Sequence, residues 1–140
     1  MKTRFSSLVK LRKNTMDKSE RVLQKANLDL NNASSALKKS YDSIEEISSP
    51  KNGSMSKFLA SRTLLMSARN NIEHNKEWVR FAQNQVLQAK EKLKSDMMEH
   101  EKYKYLELQE VQKEIKKIKL QEAKDLDEIA LMTHAFKGKN

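Results

Sequence analysis

The chain has 140 residues, 34% of them charged and 6% aromatic, with two glycines, one proline and no cysteine. That balance matches long helices or coiled coil, and it excludes a thick hydrophobic core around an enclosed active site. The formal net charge of +9 favours acidic partners in general, whether nucleic acid, anionic lipid or acidic protein, and selects none of them.

The lack of cysteine fits a reducing compartment and excludes disulfides and thiolate metal sites. The longest apolar runs, such as Ile129 to Met132, are too short for a secretory or membrane-spanning segment. Lys2, Arg4, Lys10, Arg12 and Lys13 give the start of the chain a presequence-like basic character, with no acidic residue among them. Apolar positions there continue in phase into the helix beyond, which disfavours a transit peptide.

Taken in order, a first helix is expected over about residues 3–48. Val9, Met16, Leu23, Leu30, Leu37 and Ile44 recur every seven residues, and Arg12, Ser19, Ala26, Ala33, Ser40 and Ile47 follow each by three. Large layers thus alternate with mostly small ones, which lets two helices approach closely. A turn follows over about residues 49–56. Pro50 ends the first helix, Asn52-Gly53 can take left-handed backbone angles, and Ser54 or Ser56 can cap what comes next.

A second helix is expected over about residues 57–137, since no glycine or proline lies between Gly53 and Gly138. As one helix this stretch extends about 125 Å, far beyond a compact domain. Phe58, Leu65, Ile72, Val79, Val86 and Leu93 form its heptad series, each followed at three residues by Ser61, Ala68, Asn75, Ala82, Ala89 and Asp96. After Leu93 the good series is Leu108, Ile115, Glu122, Ile129 and Phe136, interleaved with Val111, Ile118 and Met132. Leu93 to Leu108 is two heptads plus one residue, a slip that turns the stripe to a new face.

Two long amphipathic helices joined by a short link predict an all-α fold: an antiparallel coiled-coil hairpin, one domain over residues 1–140. Folding about Asn52 sets Phe5 opposite the region of Glu99, where the stripe changes phase. The second helix then overhangs from about His100, by about 50 Å. Its stripe would face water unless a second copy or another protein covers it.

No phosphate-binding glycine loop, nucleophile elbow or H-E-x-x-H motif is present. His74, His100 and His134 are too far apart to share a helix face as metal ligands and read as solvated or edge residues. Carboxylates interleaved with lysines, as in Glu114 to Lys124, read as a solvated face. No enzyme activity, cofactor or small-molecule substrate is expected. Met16, Leu23 and Leu30 after a basic run superficially resemble a basic leucine zipper. Leu8, Val9 and Leu11, however, put apolar side chains where a major-groove helix wants small polar ones, so nucleic acid is disfavoured. Trp78 reads as packing at the seam's edge and Asn75 as a register-fixing seam residue. Tyr103 and Tyr105 read either as packing at the phase break or as a partner anchor.

Both ends of the chain resemble the FliJ family of bacterial flagellar type III export. Phe5-x-x-Leu8-Val9-x-Leu11-Arg12 is similar to that family's opening F-x-x-L-L-x-L-[KR]. The run Glu122 to Ala130 is similar to its closing pattern around a hydrophobic-Asp-Glu-hydrophobic core. The resemblance implies a non-enzymatic stalk, similar to the central stalk of rotary ATP synthases, whose paired termini enter the hexameric export ATPase. It implies ring contacts at Phe5, Leu8, Leu11 and Arg12 from the first helix, and at Asp127, Glu128, Ile129, Met132 and Phe136 from the second. It further implies contacts with export chaperones and, early in the second helix, with the cytoplasmic domain of the membrane export gate. The equivalents for the gate are Leu64, Ala68, Asn71 and Asn75, of which the two asparagines do not match an apolar contact. Such a protein would lie in the cytoplasm at the inner face of the bacterial inner membrane. Competing readings are the equivalent stalk of a virulence type III secretion system, a nucleic-acid-binding coiled coil, and a structural coiled coil that dimerises through its overhang.

Overall fold

A computed structural model describes residues 2–47 and 53–138. It contains two long helices packed against each other, α1 (Ser6–Glu46) and α2 (Met55–Gly138), and no strand among the described residues. Pro50 and Asn52, on which the expected turn rests, lie outside the described residues. Gly53 has φ 159°, a positive value that residues other than glycine rarely adopt.

Short polar side chains organise the start of α1. Thr3 Oγ1 accepts from the Phe5 N–H at 3.1 Å, and Ser6 Oγ accepts from the Thr3 N–H at 2.8 Å. The Ser6 N–H reaches the Thr3 carbonyl at 3.1 Å. Donors that a helix start leaves without partners are thereby satisfied within four residues. At the start of α2 the Ser54 carbonyl receives the Lys57 N–H at 3.0 Å, which places Ser54 at the cap position.

The chain falls into two compact units, Met16–Asp96 and Met1–Thr15 with Met97–Asn140. In the first unit the heptad series makes the seam. Ser19, Ala26, Ala33 and Ser40 are buried on α1, facing Ile72, Ala82, Val86, Ala89 and Asp96 on α2. Ala33 and Ala82 are the most enclosed, at 0% and 2% exposure. Leu23 and Leu30 pack over Ala26, Val86 and Ala89 as half-buried flanks. Two helices alone cannot enclose a leucine, so the small layer is what disappears from water. Phe58, the first residue of the α2 series, is instead 47% exposed, in an open groove with Ile47 and Leu65.

Polar pairs inside the small layer set the register. Ser19 Oγ donates to the buried Asp96 carboxylate, which also accepts from Lys92 Nζ at 3.0 Å. Asn75 Nδ2 donates to Ser40 Oγ and, at 3.4 Å, to the Ala36 carbonyl. This corrects the register expected from the turn. Folding about Asn52 would set Ser40 beside Leu64 and Ser19 beside Gln85. Asp96 and Asn75 would then lose these cross-helix partners, a cost of about 1–3 kcal/mol for a fully buried group and less at the half-buried Asn75.

Overfilling the small layer should therefore destabilise the unit. Ala82→Leu is expected to lower unfolding stability by about 1–3 kcal/mol in denaturant melts. Leu87→Ala, on the exposed face, should stay within about 0.5 kcal/mol.

Candidate functional site: the unpaired end of the second helix

In the second unit the start of α1 runs antiparallel to the middle of α2. Arg4 Nη2 donates to Glu110 Oε1 at 3.0 Å, and Ser6 Oγ donates to Glu107 Oε1 at 3.4 Å. One turn further on, the Arg12 guanidinium lies 5.4 Å from the centre of the Tyr103 ring. Arg12 Nε is buried and makes no hydrogen bond among the described residues. Arg4 is 73% exposed at its side chain, so its ion pair adds little stability and serves mainly to mark the register.

These pairings correct two expectations. Phe5 does not sit opposite Glu99; its neighbour Arg4 reaches Glu110. Nor does the paired face of α2 turn after Leu93. His100, Tyr103, Glu107 and Glu110 continue the spacing of Leu93 and Asp96, and all are buried or half-buried against α1. The original face goes on with polar and aromatic side chains, suited to the hydroxyl of Ser6 and the guanidinium groups of Arg4 and Arg12. His100 is accordingly a buried seam residue at 8% exposure, not the solvated or edge residue expected. His74 and His134 are exposed.

The apolar stripe itself does move. Leu108, Ile115 and Ile118 stand one residue off the old heptad positions, which rotates them by about 100° around the helix. They are 54%, 41% and 42% exposed. Where the stripe begins, Val9 and Lys13 of α1 form an open groove with Lys104, Tyr105, Leu108 and Val111 of α2. Tyr105 is exposed, and its hydroxyl accepts from Gln109 of the same helix at 3.0 Å.

Beyond Val111 every described residue of α2 is exposed. The overhang therefore begins at Gln112 and not at His100, and its 112–138 stretch is about 40 Å long. Leu120, Leu126, Ile129, Leu131, Met132 and Phe136 are between 58% and 74% exposed along it.

The sequence-predicted ring contacts fall into two groups that the structure does not bring together. Phe5, Leu8 and Arg12 are half-buried against α2, while Leu11 points outward at 56% exposure. Asp127, Glu128, Ile129, Met132 and Phe136 are fully on the unpaired stretch. From Glu110, which Arg4 holds, Ile129 is about 28 Å further along α2. In the other unit, Ala68 and Asn75 face α1, whereas Leu64 and Asn71 face out. Beside them Glu73, and then the Tyr41 hydroxyl, hold the Lys76 ammonium above its usual pKa. Trp78, 41% exposed, lies on the same helix surface as His74 and Phe81. Sequence spacing placed it at the seam's edge but missed Phe81 as its neighbour, although the two are three residues apart.

Among the described residues no cluster of His, Cys, Asp or Glu could hold a metal, and no helix is long and apolar enough to cross a membrane. Fold and surface together define an all-α coiled-coil protein with one long uncovered helical face. A family model described as flagellar FliJ protein matches residues 1–139, and the chain belongs to that family. Membership makes it a non-catalytic stalk component of the flagellar protein-export apparatus. No curated protein and no solved structure gives a significant match.

If the stretch after Gln112 packs on nothing, removing it should not loosen the rest. A chain ending at Gln112 is expected to keep its thermal midpoint within about 2 °C, since exposed positions contribute little. Its circular dichroism should fall only by the helix removed.

Proposed function

We propose that this chain seats the unpaired end of α2 in the hexameric flagellar export ATPase and biases the ring's nucleotide states. One observation carries the reading: a continuous helix from Gln112 to Gly138 that exposes a run of large apolar side chains in a family of export-apparatus components. Ring contacts are assigned to Asp127, Glu128, Ile129, Met132 and Phe136 at the far end. Phe5, Leu8, Leu11 and Arg12 form a second, nearer collar where α1 begins. A single helix inside a near-symmetric ring touches its subunits unequally. Only unequal affinity for the ring's states can shift their populations. The stalk does no chemistry; it raises the rate at which the ring passes through its own cycle.

The same reading assigns further contacts to the export chaperones and to the cytoplasmic domain of the membrane export gate. For the gate, Leu64 and Asn71 are the accessible pair of the four family equivalents. Ala68 and Asn75 act through the seam, where Asn75 already bonds Ser40. The chain would then work at the cytoplasmic face of the inner membrane, held there by its partners.

The test is ATP hydrolysis by the cognate export ATPase with and without the purified chain. Activation is expected, and it should be lost on truncation before Leu126. Ile129→Asp with Met132→Asp should weaken ring binding at least roughly tenfold, about 1.4 kcal/mol. A folded chain that neither binds nor activates the ATPase, or a truncation that activates fully, would overturn the assignment.

A further inference from the structure

Charge on the unpaired stretch of α2 is divided in a way the stalk reading does not use. From Lys113 to Lys119 there are four lysines and one carboxylate; from Glu122 to Glu128 there are four carboxylates and one lysine. Among the described residues none of these four lysines or four carboxylates is ion-paired within the chain. The boundary falls at Leu120 and Gln121, within the exposed helix. The apolar stripe lies uncovered on either side of that boundary: Ile115 and Ile118 before it, Leu126 and Ile129 after it.

We infer that the occupant of this face, when the chain is free, is a second copy of the same stretch laid antiparallel across the boundary. In that arrangement each basic half lies beside the other copy's acidic half. Ile115 and Ile118 of one helix meet Leu126 and Ile129 of the other. A parallel pair would set lysines against lysines and carboxylates against carboxylates, which is disfavoured. Two-fold symmetry forms each such pair twice and leaves neither half over, so the pairing is closed and stops at a dimer. The pairing does not depend on the stalk reading. Its consequence does: the ring and the second copy compete for the same stripe, so the dimer is a masked store from which the ring draws monomer.

Sedimentation equilibrium on the full chain tests this directly. A monomer–dimer equilibrium is expected, weakened by added salt because exposed ion pairs are screened. Reversing the basic half alone (K113E, K116E, K117E, K119E) should raise the dimer Kd at least about tenfold. Reversing the acidic half in the same chain as well (E122K, D125K, D127K, E128K) restores complementarity and should return Kd to within about threefold. Since the stretch packs on nothing, helicity of the rest reports that both variants fold. A monomeric mass at every concentration, or a dimer indifferent to the reversals, would overturn the proposal. A monomer that still activates the ATPase would sink the pairing and leave the stalk; a charge-sensitive dimer without activation would do the reverse.

Discussion

The structure depends on a seam too narrow to bury large side chains. Two helices alone can remove only small residues from water, so Ala33 and Ala82 lie deepest and the leucines serve as flanks. Apolar packing of this kind fixes register weakly, because one heptad of alanine and leucine resembles the next. Polar residues inside the small layer supply the missing discrimination. Asp96 needs Ser19 and Lys92, and Asn75 needs Ser40. A slip would take the Ser19 hydroxyl from the buried Asp96 carboxylate and Ser40 from the half-buried Asn75 amide, which costs more than a mismatch between aliphatic side chains.

In the other unit, polar pairing again decides where one helix stops using the other. Arg4 with Glu110 and Ser6 with Glu107 lie next to Val111, the last described residue of α2 that the start of the chain shields. What lies beyond them is a helix with exposed apolar residues and segregated charge. Export-apparatus membership and the uncovered face together motivate the docking role proposed above.

Helix content, the seam of the first unit and the family were legible in the sequence. A seven-residue spacing from Val9 to Ile44, and from Leu65 to Leu93, states the packed faces directly, and the two terminal motifs carried the family resemblance. Register was not legible, because the turn around Asn52 suggests one pairing, whereas Ser19, Ser40, Asn75 and Asp96 choose another. Seen one helix at a time, those four are ordinary seam residues; only their cross-helix bonds make them decisive. The same error shifted the overhang. The burial of His100 was hidden as well, since a polar continuation of the seam does not register as a hydrophobic stripe. The candidate ring contacts could be named but not arranged, because nothing in the spacing says that α1 begins about 28 Å short of Ile129.

The central claim is that α2 is held by α1 only as far as Glu110 and is open to other proteins beyond it. Amide hydrogen exchange resolved along α2, with and without the export ATPase, measures this most directly. The account predicts protection through about Glu110 in the dilute free chain, rapid exchange from Gln112 onward, and new protection around Leu126 to Phe136 when the ring is present. Strong protection of that stretch in a dilute monomer, or no change there on adding an ATPase that the chain binds, would contradict it.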